Sequence, residues 1–223
     1  MKIGIFTAVD TEALSFVSAG AVKEVNGAFT VYFFKLGSHD AVLCCPPSVG
    51  EIAAAAACQL LITEYKVDVI FNFGVVGALT ENTSLFSTVL VKDVVHYDMD
   101  TSQIDPFPVG RYECFDDVAV PCDSVLLARA LSACNIPVVR CASADKFVSD
   151  PARKAALNTN FGAQICDMES AGILFTCKFN NIPCLLVKCV SDSLTGGANE
   201  YEQNSVRAAE NFFRLAAAIA DAL

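Results

Sequence analysis

The chain has no tryptophan, only two histidines (His39 and His96), and no arginine before Arg111. Each shortage excludes something. Neither histidine lies in a ligand spacing, so no metal centre and no cofactor is expected, and proton transfer falls to carboxyl groups. Among eleven cysteines there is no C-x-x-C pair, which argues against a zinc ribbon or a disulfide framework. Most of these thiols (Cys44, Cys45, Cys58, Cys166, Cys177, Cys184, Cys189) lie inside apolar runs. They read as small core hydrophobes of a reduced, cytoplasmic protein. No uncharged apolar run approaches the roughly 18 residues of a membrane span. Asp10 and Glu12 interrupt the first apolar stretch too early for a secretory leader. Basic residues are also scarce, 15 Lys and Arg against 25 Asp and Glu, for a net charge of −10. Nucleic acid and anionic membranes are therefore not expected as partners.

What is present is apolar and alternating. The 223 residues are 54% hydrophobic, with a mean hydropathy of +0.47. That fits a layered fold with buried strands, or an oligomer with a sizeable apolar interface. Strands are expected over residues 2–8, 41–45, 67–74, 86–91, 94–97, 137–143 and 183–190, with a hairpin over 22–36 about Asn26-Gly27. Helices are expected over 49–65, 123–134, 150–159, 169–180 and 200–222. The short strand Ile165-Cys166 runs straight into Asp167, Met168 and Glu169 and the helix after them. No linker or internal repeat interrupts the alternation. The pattern predicts one α/β domain over residues 1–223, three layers with a central mixed, mostly parallel sheet.

In such sheets ligands sit beyond the carboxyl ends of the strands. The exits here are Asp10 and Glu12, Gly74 to Gly77, Ser143 to Val148, Asp167 to Glu169, and Ser191-Asp192. Alone, Glu12 reads as a solvated first-turn residue, Asp167 or Asp192 as a helix cap, and Met168 as core filler. Together, Glu12, Glu169 and Asp192 around one cleft suit a reaction that passes through positive charge, such as glycosidic cleavage. Asp192 follows an apolar strand, where desolvation favours the protonated acid. Glu169 begins a helix, whose free N–H groups favour the ionised form.

These segments, in order, resemble the methylthioadenosine/S-adenosylhomocysteine nucleosidases of the purine nucleoside phosphorylase superfamily. "MKIGIFTAVDTE" is similar to their M-K-I-G-I-I-x-A-M-x-x-E opening, and "VDVIFNFGVVGAL" to P-D-x-I-x-x-G-x-A-G-x-L. "SADKFV" resembles S-G-D-x-F-I, "DMESAGI" resembles E-M-E-x-A-A-I, and "VKCVSDSL" resembles V-R-x-I-S-D-x-A. The likeness spans the whole chain and implies a nucleoside phosphorylase-like fold, a nucleoside as small-molecule substrate and a homodimer. It implies Glu12 as the base that activates water and Asp192, held by Ser191, as the acid that protonates purine N7. It implies Glu169 on the ribose 2′-hydroxyl, Met168 against the sugar, Phe147 stacked on the base and the Val148 backbone reading the base edge. Val75 stands where the family has a small polar residue near the sugar. "PPSVGEI" (46–52) replaces S-G-I-G-K-V, and Asp167 shortens a glutamate. Phe107, in the altered loop 101–111, is the candidate apolar contact to a neighbouring subunit's 5′-substituent pocket. A phosphorylase must hold a phosphate dianion, normally with arginine. No arginine precedes Arg111, so the N-terminal loop and the 67–80 segment cannot supply one and water is the expected nucleophile. Other purine nucleosides (an aminofutalosine-type hydrolase), a phosphorolytic enzyme and a nucleoside-binding relative without turnover remain alternatives.

Overall fold

The structure, a computed structural model, describes residues 1–17 and 20–223. The strands are β1 (Lys2–Phe6), β2 (Val22–Asn26), β3 (Phe29–Leu36), β4 (His39–Cys45) and β5 (Val69–Ala78). They continue with β6 (Thr88–His96), β7 (Val120–Pro121), β8 (Val138–Ser143), β9 (Ile165–Asp167) and β10 (Cys184–Asp192). Among the described residues seven helices lie between and after them: α1 (Asp10–Val17), α2 (Glu51–Thr63), α3 (Ser124–Ala133), α4 (Pro151–Phe161), α5 (Ser170–Asn180), α6 (Ala198–Ala209) and α7 (Phe212–Ala220).

The parallel heart of the sheet is β4-β1-β5-β10. Its strands are apolar on both faces because both faces are covered, and β10 is buried from end to end. One face packs on α2 and α5 through Ala54, Ala57, Leu61, Ile173 and Leu174. The other packs on α1, α3, α6 and α7 through Phe16, Leu126, Phe212 and Ala216. The three layers are those expected, and the sheet is mixed. Parallel and antiparallel pairings are equal in number, five each, because the β2-β3-β4 meander and the flanks of β6 and β9 run antiparallel. Beyond β1 the sheet closes on itself. β5 pairs with β10, β10 with β6, β6 with β8, β8 with β9, and β9 returns to the last residues of β5. This ring gathers several strand ends around one space.

Local sequence explains most boundaries. Asp150 caps α4 by accepting the amides of Ala152 and Arg153, Pro151 fills its first turn, and Gly162 ends it in the left-handed region at φ 65°. Asp123 caps α3 in the same way. Two expectations differ from the structure. Residues 86–91 and 94–97 form one strand, β6, whose register shifts between Val91 and Asp93. A bulge there mimics a break in the apolar pattern. The expected helix 200–222 is two helices, α6 and α7, interrupted at Glu210-Asn211. All eleven cysteines are free and nine are buried, so they serve as packing atoms. Among the described residues, no helix is long and apolar enough to cross a membrane.

Candidate active site

A cavity of about 340 Å³ opens where β1, β5, β8, β9 and β10 end. Its walls include Glu12, Val75, Phe147, Val148, Met168, Glu169, Ser191 and Asp192. Eight of the nine residues singled out from the sequence thus meet in one space. Phe107 does not line it; this ring is half-buried in its loop, with the Arg111 guanidinium 5.3 Å from its centroid.

Glu12 lies in the first turn of α1 but is 3% exposed, contrary to the solvated role such a position usually has. Its carboxyl accepts the Ala8 amide through Oε2 at 2.8 Å and the Val75 amide through Oε1 at 2.9 Å. Burial raises its pKa, and those two amides and the charge of Lys188 partly counter the rise. Val75, half-buried, therefore meets the site twice, by its amide and by its side chain on the wall.

Asp192 reaches the cavity through a bulge. Val190 pairs with Val76 and Asp192 with Gly77, so Ser191 is the extra residue that re-aims the chain. Glycine is required opposite it, since a Cβ on Gly77 would stand 2.9 Å from Asp192 Oδ2. Ser191 Oγ lies 3.0 Å from Asp192 Oδ1 and 3.2 Å from the Val76 carbonyl. The sequence reading placed Asp192 in a merely apolar strand end. The structure corrects this: the Lys154 ammonium donates to Asp192 Oδ2 at 2.5 Å, and both side chains are buried.

The Asp167-Met168-Glu169 step divides its labours. Asp167 faces inward, where Lys188 lies 2.6 Å from Oδ2 and the Ser143 hydroxyl donates to Oδ1 at 2.6 Å. Burial acts to raise the Asp167 pKa, but Lys188 and the hydroxyls of Ser143 and Ser170 hold it below the usual carboxylate range. Asp167 also accepts the Ser170 amide, capping α5. Glu169 turns the other way and accepts the Gly50 amide at 2.9 Å. Burial, with the neighbouring charge of Asp167, pushes the Glu169 carboxyl up to about 8. The expected ionisation at a helix N-terminus is thereby reversed, because the side chain makes no capping bond to α5 and is buried beside Asp167. Met168, half-buried between them, presents its thioether to the cavity.

Several contributors escaped the sequence reading. Tyr201 of α6 lines the cavity and packs edge-on against Phe147, ring centroids 5.5 Å apart. Val49 and Lys146 line it as well, Lys146 being paired with Asp98 at 2.7 Å. Lys188 had a visible signal, a lone charge inside "LLVKCV". Lys154 had none, because its neighbour Arg153 carries the same charge on the same helix and is exposed. Among the described residues no cluster of His, Cys, Asp and Glu is arranged to hold a metal ion.

The fold is thus an α/β domain with a ring-closed mixed sheet and a carboxyl-rich cavity at its strand ends. The family model of the phosphorylase superfamily matches residues 2–221, and the chain belongs to that superfamily. It is 30% identical to a 5′-methylthioadenosine/S-adenosylhomocysteine nucleosidase of Maridesulfovibrio salexigens, over 96% of each chain. It is 29% identical to the protein of that name from Treponema pallidum, over 94% of this chain and 88% of the other. Among solved structures it superposes on futalosine hydrolase of Helicobacter pylori with a TM-score of 0.93 at 21% identity, over 100% of this chain and 98% of the other. The Neisseria meningitidis 5′-methylthioadenosine/S-adenosylhomocysteine nucleosidase, in complex with methylthio-immucillin-A, gives 0.93 at 22% identity, over 100% and 99%.

Proposed function

We propose that this protein is a nucleosidase that hydrolyses the N-glycosidic bond of 5′-methylthioadenosine or S-adenosylhomocysteine. The products are adenine and the 5′-thioribose. The observation that carries the proposal is that Glu12 and Asp192 line the same cavity while no arginine does. The purine binds against Phe147 and the Val148 backbone, with Asp192 at N7. Glu169 meets the ribose 2′-hydroxyl, and Met168 and Val75 pack on the sugar. As N7 takes up a proton at Asp192, the C1′–N9 bond breaks and its electron pair leaves with the base. A water on Glu12 adds to C1′ and gives its proton to that carboxylate. The Glu12 carboxylate beside the developing ribosyl cation favours its positive charge.

Water rather than phosphate is the nucleophile. The walls hold no arginine, and their lysine, Lys146, is paired with Asp98, so they offer no fork for a dianion. The relatives named as 5′-methylthioadenosine/S-adenosylhomocysteine nucleosidases support the choice of substrate. The superposition on a futalosine hydrolase supplies the second substrate class to test. Chromatographic detection of free base from a panel of methylthioadenosine, S-adenosylhomocysteine, aminofutalosine and inosine decides between them. Base release that depends on added phosphate would overturn the hydrolytic reading.

We also propose a homodimer. Val49, which lines the cavity, is 46% exposed, Ile52 82%, Ile104 82% and Phe179 61%. Apolar side chains so exposed support an interface that a second copy covers.

A further inference from the structure

Lys154, on the first turn of α4, has no exposed surface. Its ammonium has three protons to donate and three acceptors around it. These are Asp192 Oδ2 at 2.5 Å, the Ser193 carbonyl at 2.6 Å and the Gly196 carbonyl at 3.3 Å. A buried ammonium needs a counter-charge. Among the described residues Asp192 is the carboxylate in ion-pair contact with it. The other groups packed around Asp192 do not compete. Glu200 of α6 is turned to the Ser193 amide at 2.7 Å. Cys166 of β9 is a thiol whose pKa burial pushes up to about 12. Tyr201 is a phenol whose pKa is raised by burial and by Glu12, Glu169 and Asp192. The carboxylate is thus clamped at both oxygens, by Lys154 on Oδ2 and by Ser191 on Oδ1.

We propose that Lys154 is the positioning residue of the acid, holding Asp192 as a fixed carboxylate in the resting site; the inference rests on the nucleosidase reading above. A charged carboxylate only accepts hydrogen bonds. It fits a purine that carries hydrogen on N7 and opposes the bare lone pair that the substrate presents there. The proton enters from solvent with the substrate, is shared between Asp192 and N7, and finishes on N7 as the C1′–N9 pair leaves with the base. Lys154 remains an ammonium throughout. The site is therefore complementary to the N7-protonated, bond-breaking state and less so to the ground state, which is the difference that accelerates a reaction.

Lys154 also ties the turn at Ser193–Gly196 to α4, so the test must separate positioning from bracing. The variants are Lys154→Met and Lys154→Arg, with Lys154→Gln, which keeps donors for the two carbonyls, used if the methionine variant does not fold. Three readings are taken: kcat on methylthioadenosine, kcat on 4-nitrophenyl riboside, whose leaving group departs without a proton, and the calorimetric affinity ratio of 9-deazaadenine (N7–H) to adenine. Loss of the charge is expected to lower kcat on methylthioadenosine by about 100-fold, with a loss at least about tenfold smaller on the nitrophenyl riboside. The preference for 9-deazaadenine is expected to fall about tenfold, and arginine to restore most of both. Equal losses on the two substrates with an unchanged base preference would make Lys154 a brace and overturn the proposal. A wild-type protein that releases no base, while its base preference still collapses on losing the lysine, would instead sink the nucleosidase reading and leave the Lys154 assignment standing.

Discussion

The Val75 amide donates to Glu12 Oε1 at 2.9 Å, tying the first turn of α1 to the middle of β5. The Ala8 amide takes the other oxygen at 2.8 Å, so the carboxylate is oriented at both ends. Glu12→Gln keeps one of these acceptors and turns an amide NH₂ toward the other N–H. Hydrolysis is expected to fall by about 1,000-fold or more, with adenine affinity changed only a few-fold. Single-turnover assay and calorimetry on the same preparation check this, and retained turnover would remove Glu12 as the base.

Asp192→Asn removes the acid and strands the Lys154 ammonium. Release of adenine is expected to drop by several orders of magnitude, about 10³–10⁴-fold. The protein also becomes less stable, because a buried charge has lost its partner. Turnover within tenfold of wild type would exclude Asp192 from proton transfer.

The pair of Lys188 and Asp167 is buried at 2.6 Å, with side chains 1% and 2% exposed. Breaking it from one side leaves a naked charge. Lys188→Met is expected to cost about 3–5 kcal/mol, a fall in Tm on the order of 10 °C for a chain of this size. Adding Asp167→Asn recovers part of that loss. Calorimetric scans of the two single variants and the double variant measure the coupling; strict additivity would refute it.

Glu51 predicts a pH dependence. Burial and the neighbouring Asp167 push its carboxyl up to about 7, from a model-peptide value of 4.5. Because the folded protein then holds a proton that the unfolded chain releases, the stabilisation is present below the unfolded pKa. It is lost as pH rises through the folded one. Between about pH 4.5 and 7 this group alone costs about 1.4 kcal/mol per pH unit. Glu51→Gln keeps an acceptor for the Ser143 hydroxyl or the Gly172 amide and is expected to flatten the decline of Tm over that range. A decline as steep as that of wild type would assign the effect to other carboxyls, Glu169 first.

Ile52 is 82% exposed at the start of α2. Ile52→Glu is expected to convert a dimer to a monomer by light scattering without changing the circular dichroism. If the wild-type protein is already monomeric at assay concentration, the interface proposal fails.

The apolar strand runs and the caps at Asp123 and Asp150 made the layers and most boundaries readable, since these depend on residues near in sequence. The carboxylates at the strand ends were readable for the same reason: a strand exit is a local feature. Protonation states were not. The titration of Glu169 depends on Gly50 and Asp167, and the partner of Asp192 is Lys154, residues tens of positions away or on another element.

By itself, then, the order of apolar and acidic segments determined an α/β domain with carboxylates at its strand exits, and the resemblance of its motifs to a known family implied the superfamily and the other side chains of the cavity. Only the tertiary structure decided which of them are paired, which are buried and which lysine meets which carboxylate. The reason is physical. Local pattern sets backbone conformation through short-range sterics and burial, whereas the charge of a buried carboxyl follows from the few atoms within hydrogen-bond distance, and the folded chain brings those together from far apart.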